Sequence, residues 1–384
     1  MRAVFDSRWI YERPSGIGVY AREMMARLPR LLPEIDFVFL FSDGALEQRH
    51  MAPLAGLRNV QPLRFARGPL SPGSQLRLPT LLRELRPALF HTPNYMMPFL
   101  AFPDLPGRVV KCIVNIHDVI PLVVEGYAPS SRTSRFRGVF RFCLAQSVRR
   151  ADAVITGSDA SRRDMIAALA LGTREAAKIQ VVYDGAGGRL GELAHDPVKT
   201  DPATPRMLLY VGRMDPYKNV HGLVEAFAQA RRRVAFPLRL VVCGPADDRY
   251  PEARLVAERL GVADDVRFTG FVPDEELARL YASADLLVHP SRYEGFGLQL
   301  VEAMKCGLPV CCTDGGSQPE IAGDAAVVVK AADSLAMAEA IADILGCPAK
   351  QERMKAAGLA RARNFGWDVC AERTAALYRT LVKP

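Results

Sequence analysis

Glu294 and Glu302 stand eight residues apart in the stretch SRYEGFGLQLVEAM, on either side of a Gly-Phe-Gly turn. The apolar positions Leu298, Leu300, Val301 and Met304 predict a helix that begins near Gly297. Glu294 then lies in the turn before the helix, and Glu302 more than one turn inside it. Gly295 and Gly297 let the backbone approach a ligand closely, and the unpaired N–H groups of the first turn suit an anion. Two carboxylates at contact distance would repel a phosphate. They fit if they accept hydrogen bonds from hydroxyls flanking it, a sugar on one side and a ribose on the other. The plain alternative is a solvated helix start.

A second group lies in YVGRMDPYKN, residues 210–219. A predicted strand ends near Val211, and Arg213 and Lys218 follow in a loop with Pro216. Two fixed cations at the carboxyl end of a strand would neutralise a diphosphate and stabilise it as a leaving group. A surface charge pair is the bland reading. Both motifs together, in order and at matching strand ends, argue against it.

SGIGVYA, residues 15–21, reads as a dinucleotide fingerprint, and Asp36 lies twenty residues after Gly16. A Rossmann turn follows its strand directly, however, whereas nine residues separate AVFD from Gly16 here. The segment is better read as a loop and helix N-terminus whose Gly16 and Gly18 amides face a diphosphate from the opposite domain. Three further polar residues end predicted strands or closely follow them: His117 in NIHD, His91 in FHTPNY and Ser158. A structural role is the commoner fate of a lone histidine. No metal site is expected: Asp152 and Asp159 lie at opposite ends of a predicted strand, and the eight cysteines form no C-x-x-C pair.

These residues need a scaffold of strands alternating with helices. The first half carries AVF, DFVFLF, ALFH, VVKCIVNIH and ADAVITGS, separated by helical patterns such as IGVYAREMMARLPRLL. The second half restarts with MLLYVG, LRLVVCG, VRFTGFV, ADLLVHPS, PVCCTDGG and AAVVVK. This alternation predicts an α/β protein of two doubly wound, parallel-sheet domains. The polar, proline-containing segment 195–206 reads as the linker. The expected domains are 1–197 and 198–365, with a final amphipathic helix over 366–384. In open α/β sheets ligands bind beyond the carboxyl ends of the strands, so a cleft between the domains is expected.

Composition agrees with this scheme. The chain has 384 residues, 49% hydrophobic and 24% charged, with a net charge of +8. Residues 1–200 hold 27 Lys and Arg against 18 Asp and Glu, and the remainder 23 against 24. An anionic partner is therefore expected for the first half. Most cysteines lie in apolar runs, which fits a reducing cytoplasm. No signal-peptide stretch opens the sequence, and the longest uncharged run, 87–103, contains four prolines. A spanning helix is not expected.

The combination of GR-x4-K, E-x7-E within EGFGL and the N-terminal glycine-rich segment resembles the retaining nucleotide-sugar glycosyltransferases of family 4, with the GT-B fold. The resemblance covers essentially the whole chain, including a C-terminal helix that in this family crosses back to the N-terminal domain. Gln299 departs from it, since many members carry proline there. The resemblance implies that Arg213 and Lys218 bind the diphosphate, while Glu294 holds donor hexose hydroxyls with the amides of Phe296, Gly297 and Leu298. It further implies that Glu302 binds the ribose, that Phe271 and Val272 contact the base through their backbone, and that His117 lies beside the donor sugar. The role of Asp118 stays open, with orientation of the imidazole as one alternative. His91 and Ser158 also stay open.

NIHDVIPL, HTPNYMMPF and SRYEGFGL look most like bacterial mannosyltransferases of polysaccharide assembly. The implied donor is GDP-mannose, with UDP-glucose or UDP-N-acetylglucosamine as alternatives, and the acceptor a glycan or a lipid-diphosphate-linked sugar. No cofactor beyond the nucleotide sugar, no metal and no nucleic acid is expected. Competing readings are a nicotinamide dehydrogenase, a pyridoxal phosphate-dependent phosphorylase of the same fold, and a scaffold without activity.

Residues 131–150, SRTSRFRGVFRFCLAQSVRR, hold six arginines and no acidic residue. Phe136, Val139, Phe140, Cys143 and Leu144 recur at helical spacing. Such a helix suits the surface of an anionic membrane, which would place a cytoplasmic enzyme at the inner face of the cell membrane. The same stripe could instead pack on the sheet as an ordinary core helix.

Overall fold

A computed structural model of the chain describes residues 1–12, 15–104, 108–186 and 204–382. The chain divides into two compact units. Unit 1 comprises Met1–Val119, Phe136–Gly185 and Trp367–Pro384, and unit 2 comprises Ile120–Arg135 and Ala186–Gly366. The expected boundary at 197/198 and the expected linker up to residue 203 lie outside the described residues.

Unit 1 is built on β1 (Arg2–Phe5), β2 (Asp36–Phe41), β3 (Val60–Arg64), β4 (Leu89–Thr92), β5 (Lys111–Asn115), β6 (Ala153–Thr156) and β7 (Ile179–Val181). They form one sheet in the order β3-β2-β1-β4-β5-β6-β7, with parallel pairings throughout. Central strands are buried along their length, so their sequences are continuous apolar runs instead of alternating ones. The helix Gly16–Leu31 buries Tyr20, Met24, Met25 and Leu28. The C-terminal helix Trp367–Leu381 belongs to this unit and packs beside it, with Trp367, Ala371, Ala375 and Tyr378 in the same core.

Unit 2 repeats the plan with β8 (Arg206–Val211), β9 (Leu238–Cys243), β10 (Val266–Gly270), β11 (Leu286–His289), β12 (Val310–Thr313) and β13 (Ala326–Val329). The sheet order is β10-β9-β8-β11-β12-β13, again parallel. In each sheet the winding reverses at one place, between β1 and β4 and between β8 and β11. Loops leave such a reversal point in opposite directions and open a crevice at the carboxyl ends of the two strands. Among the described residues, no helix is long and apolar enough to cross a membrane.

Candidate active site

In unit 2 the reversal point brings together the two motifs that the sequence holds far apart. Leu208 and Leu209 of β8 pair with Leu286 and Leu287 of β11. The loops that follow, Gly212–Lys218 and Pro290–Gly297, therefore start side by side. Lys218 ends a short 3-10 turn, Pro216–Lys218, and its ammonium lies 2.6 Å from Oε1 of Glu294. His289, the last residue of β11, places Nε2 2.8 Å from the same oxygen. Oε2 of Glu294 accepts no hydrogen bond among the described residues. Burial opposes ionisation of Glu294, but the Lys218 charge and the His289 hydrogen bond outweigh it and hold the carboxyl well below the usual carboxylate range.

Backbone contacts fix the loop that carries Glu294. Ser317 N–H and Oγ both donate to Glu294 O at 3.0 Å, and Ser317 Oγ also reaches Phe296 O at 2.9 Å. The Gln318 amide donates to Ser291 O at 2.9 Å. Gly316, at φ +67°, lets the two loops meet, since a Cβ there would lie 2.3 Å from Glu294 O. The segment Gly315–Gln318 after β12 is thus the support of the site.

The helix predicted near Gly297 spans Leu298–Lys305, and no side chain caps its N-terminus. Its first-turn amides therefore have no side-chain acceptor, as an anion site requires. Phe296 turns its ring inward against Phe365, with centroids 5.8 Å apart. Glu302 lies one turn into the helix. Its Oε2 accepts from the buried Tyr281 phenol at 2.7 Å. Burial pushes the Glu302 carboxyl upward, with the Tyr281 hydrogen bond and the Lys305 charge opposing.

Arg213 grips Asp215 with two contacts, at 2.7 and 3.2 Å, and its side chain is 62% exposed. Both expected diphosphate cations are thus held by neighbouring carboxylates. At the end of β10, a register shift between Phe268 and Gly270, with Gly270 at φ +72°, turns the chain. Phe271 then projects outward, 67% exposed, while Val272 is buried.

In unit 1 the expected residues meet mixed outcomes. Gly16 begins the helix Gly16–Leu31, but Ser15 caps it: Oγ accepts from Gly18 N–H at 3.1 Å. Gly18 is therefore not the open anion donor expected, because its amide is already satisfied. Both ring nitrogens of His117 are engaged, Nε2 at 3.2 Å from Pro93 O and Nδ1 at 3.6 Å from Asp184 Oδ2. Burial opposes protonation of this imidazole, yet Asp184 and the Pro93 carbonyl raise its pKa above the usual value, with Asp118 a smaller electrostatic contributor. Of the two nearby carboxylates, Asp184 acts more strongly on the ring than Asp118.

Two candidates left open resolve as structural. His91 is wholly buried, with Nε2 at 2.7 Å from Asn115 Oδ1 and Nδ1 at 2.8 Å from the Tyr378 hydroxyl. Burial lowers its pKa to about 4, so the ring is neutral and joins the sheet to the C-terminal helix. It is not placed for an acceptor. Ser158 caps the helix Asp159–Leu169 through Ser161 N–H at 3.0 Å.

The arginine-rich helix spans Arg137–Arg150 and buries Leu144 and Val148, while Phe140 meets Tyr95 edge-on at 5.3 Å. The expected stripe is therefore split, because Phe140 and Leu144 serve the core. Phe136 and Val139 of that stripe, joined by Phe142, stay 57–63% exposed. Exposed Arg137 and Arg141 accompany it.

His289, Tyr281, Asp184 and Gly315–Gln318 were not singled out from the sequence. The Gly-Gly pair after β12 was the available signal. The others lie inside apolar runs or far along the chain.

Comparison with known proteins agrees with this architecture. The profile described as Glycosyltransferase Family 4 matches residues 14–186, and that described as Glycosyl transferases group 1 matches 194–361. The O-antigen chain mannosyltransferase B of Escherichia coli is 29% identical, over 99% of this chain and all of that protein. A D-inositol 3-phosphate glycosyltransferase of Segniliparus rotundus is 35% identical over 50% of this chain and 42% of its own length. Among solved structures, sucrose-phosphate synthase from Thermosynechococcus elongatus superposes with a TM-score of 0.76 at 21% identity, covering 99% and 98% of the two chains. An Anabaena protein solved with UDP and glucose gives 0.73 at 21% identity, covering 99% and 100%. The chain belongs to the glycosyltransferases with the GT-B fold, its first half of the Family 4 type and its second half of the group 1 type.

Proposed function

We propose that this glycosyltransferase moves mannose from GDP-mannose, with retention of anomeric configuration, to a hydroxyl of a glycan or lipid-diphosphate-linked acceptor. The meeting of Lys218 and Glu294 at the sheet's reversal point carries the reading of a nucleotide-sugar site. The full-length similarity to an O-antigen chain mannosyltransferase supports mannose as the sugar.

In this reading Arg213 and Lys218 hold the diphosphate, together with the uncapped amides of Gly297 and Leu298. Glu294 accepts hydrogen bonds from hexose hydroxyls through Oε2, beside the Phe296 amide. Glu302 holds the ribose, the backbone of Phe271 and Val272 meets the base, and His117 lies beside the sugar, exchanging its contact with the Pro93 carbonyl. The acceptor oxygen bonds to the anomeric carbon on the face that the diphosphate leaves. The bond from that carbon to the diphosphate oxygen breaks, and the acceptor proton passes to the departing oxygen. The protein supplies position and positive charge, without a covalent intermediate, a cofactor or a metal. The enzyme works at the cytoplasmic membrane face, docked through Phe136, Val139 and Phe142.

A thermal-shift series with GDP-mannose, UDP-glucose and UDP-N-acetylglucosamine tests the donor. A donor at a hundred times its Kd adds about 2.7 kcal/mol of stability. Stabilisation by a uridine sugar and none by GDP-mannose would reassign it. Anomeric NMR signals of the product test retention. Activity in excess chelator tests metal independence: loss of activity, restored by magnesium or manganese, would refute it.

A further inference from the structure

We propose that His289 is a positioning residue, whose Nε2–H fixes the plane of the Glu294 carboxylate and so presents Oε2 to the donor hexose. The inference rests on the reading that Glu294 holds that hexose. His289 is wholly buried and stacks on Tyr210, with ring centroids 6.1 Å apart and planes 19° apart. A core residue with only that task would be an ordinary aromatic. Instead Nε2 lies 2.8 Å from Oε1 of Glu294 and 3.3 Å from Ser291 Oγ, while Nδ1 is buried with no partner among the described residues. A carboxylate only accepts, so Nε2 carries a proton toward it and Nδ1 is left unmatched. Leaving a buried polar atom unmatched is unfavourable, and the short hydrogen bond to the charged Glu294 is the stronger contact that offsets it.

Lys218 cannot fix the carboxylate alone. An ammonium on a four-carbon stem is a point charge that follows a carboxylate as it turns. His289 sits on β11, one residue before the loop, and cannot follow. Lys218, from the loop after β8, and His289, from the end of β11, converge on one oxygen, so the carboxylate is held and its second oxygen is left to other partners.

The experiment compares His289→Gln, whose amide N–H reaches the Nε2 position, with His289→Asn, whose amide stops short, and with His289→Leu. For each, steady-state kinetics give KM and kcat with the nucleotide sugar, and calorimetry gives the Kd of free GDP and UDP. The expected result is a loss in kcat/KM of about 10- to 100-fold in Asn and Leu, the size of a lost hydrogen bond to a charged group, with rescue in Gln. Binding of the free nucleoside diphosphate should stay unchanged in all three. Gln and Asn variants with equal activity would overturn the proposal, as would equal weakening of nucleotide sugar and free diphosphate, which marks a packing role. The Gln and Asn pair decides even if the Leu variant does not fold. Glu294→Ala run alongside separates the two failures: if it leaves sugar-nucleotide use intact, the parent reading falls and this one with it. If it damages that use while His289→Asn does not, only the positioning role falls.

Discussion

The ammonium of Lys218 and the carboxylate of Glu294 touch at 2.6 Å across 76 residues of chain, and both are nearly buried, 10% and 8% exposed. Removing one partner of such a pair leaves the other charge stranded, at a cost of about 3–5 kcal/mol. Lys218→Ala should therefore lower stability as well as turnover, although the sequence alone places the residue in a loop. Arg213→Ala should leave stability unchanged, its side chain being mostly exposed. Each should reduce kcat by about 10²–10³, the loss typical of one transition-state donor. Denaturant titration and steady-state kinetics check both, and near-normal turnover in both variants would remove the diphosphate assignment.

The two glutamates should separate by ligand. Glu302→Ala should weaken free nucleoside diphosphate and nucleotide sugar together. Glu294→Ala should spare the free diphosphate and impair the sugar nucleotide. Calorimetric titration of each variant with both ligands is the measurement, and identical patterns would mean the partition is wrong.

Glu302 also makes a prediction about pH. Burial raises its folded-state pKa, so its contribution to stability is present below the ordinary carboxyl range and lost as pH rises through the raised value. At pH 7 the ionised form is therefore a liability to the fold. Glu302→Gln should raise Tm at neutral pH, and the gain should vanish below about pH 4, where the carboxyl is protonated folded or unfolded. An equal gain at both pH values would contradict the raised pKa. Glu294 has the opposite sign. Its depressed pKa gives stability present at neutral pH and lost as the solution is acidified.

Asp184 should govern His117. The raised imidazole pKa gives stability that is full below about pH 6.5 and is lost as pH rises through the folded value. Asp184→Asn should lower the His117 titration midpoint, followed by NMR of the ring protons. It should also destabilise the protein more at pH 6 than at pH 9. An unchanged midpoint would show that Asp184 does not control the ring.

Membrane docking should depend on the exposed face of the helix Arg137–Arg150 and not on its buried one. The protein should sediment with anionic vesicles at low salt, and less at high salt, since each basic residue near the surface adds about 1 kcal/mol. Phe136→Ser with Phe142→Ser should abolish sedimentation without lowering Tm. Equal, negligible binding of the wild-type protein to anionic and neutral vesicles would refute the docking.

Much of this molecule was legible as a string. All six strands of unit 2 coincide with apolar runs, and the central β11 and β12, buried along their length, are continuously hydrophobic because both their faces are covered. β3 and β7 escaped notice for the converse reason. They lie at the sheet's edges, β3 contains Pro62 and is largely exposed, and β7 has three residues. Edge strands bury little, so selection for apolar side chains leaves little trace there.

The site divides along the same line. The helix after Gly297, the turn that holds Glu294 and the loop of Arg213 and Lys218 are local features, set by glycine, proline and apolar spacing within about ten residues, and the sequence by itself determined them. Pairings across the fold are another matter. That Glu294 meets both Lys218 and His289, that Tyr281 donates to Glu302, and that Asp184 holds His117 depend on which strands and helices lie side by side. The chain order of these residues carries no such information. The same holds for His91, whose ring nitrogens meet Asn115 and Tyr378, whereas Gly18 and Ser158 are settled locally by helix caps three residues long. A polar side chain acquires its role from the partner it finds, and only the tertiary structure supplies that partner.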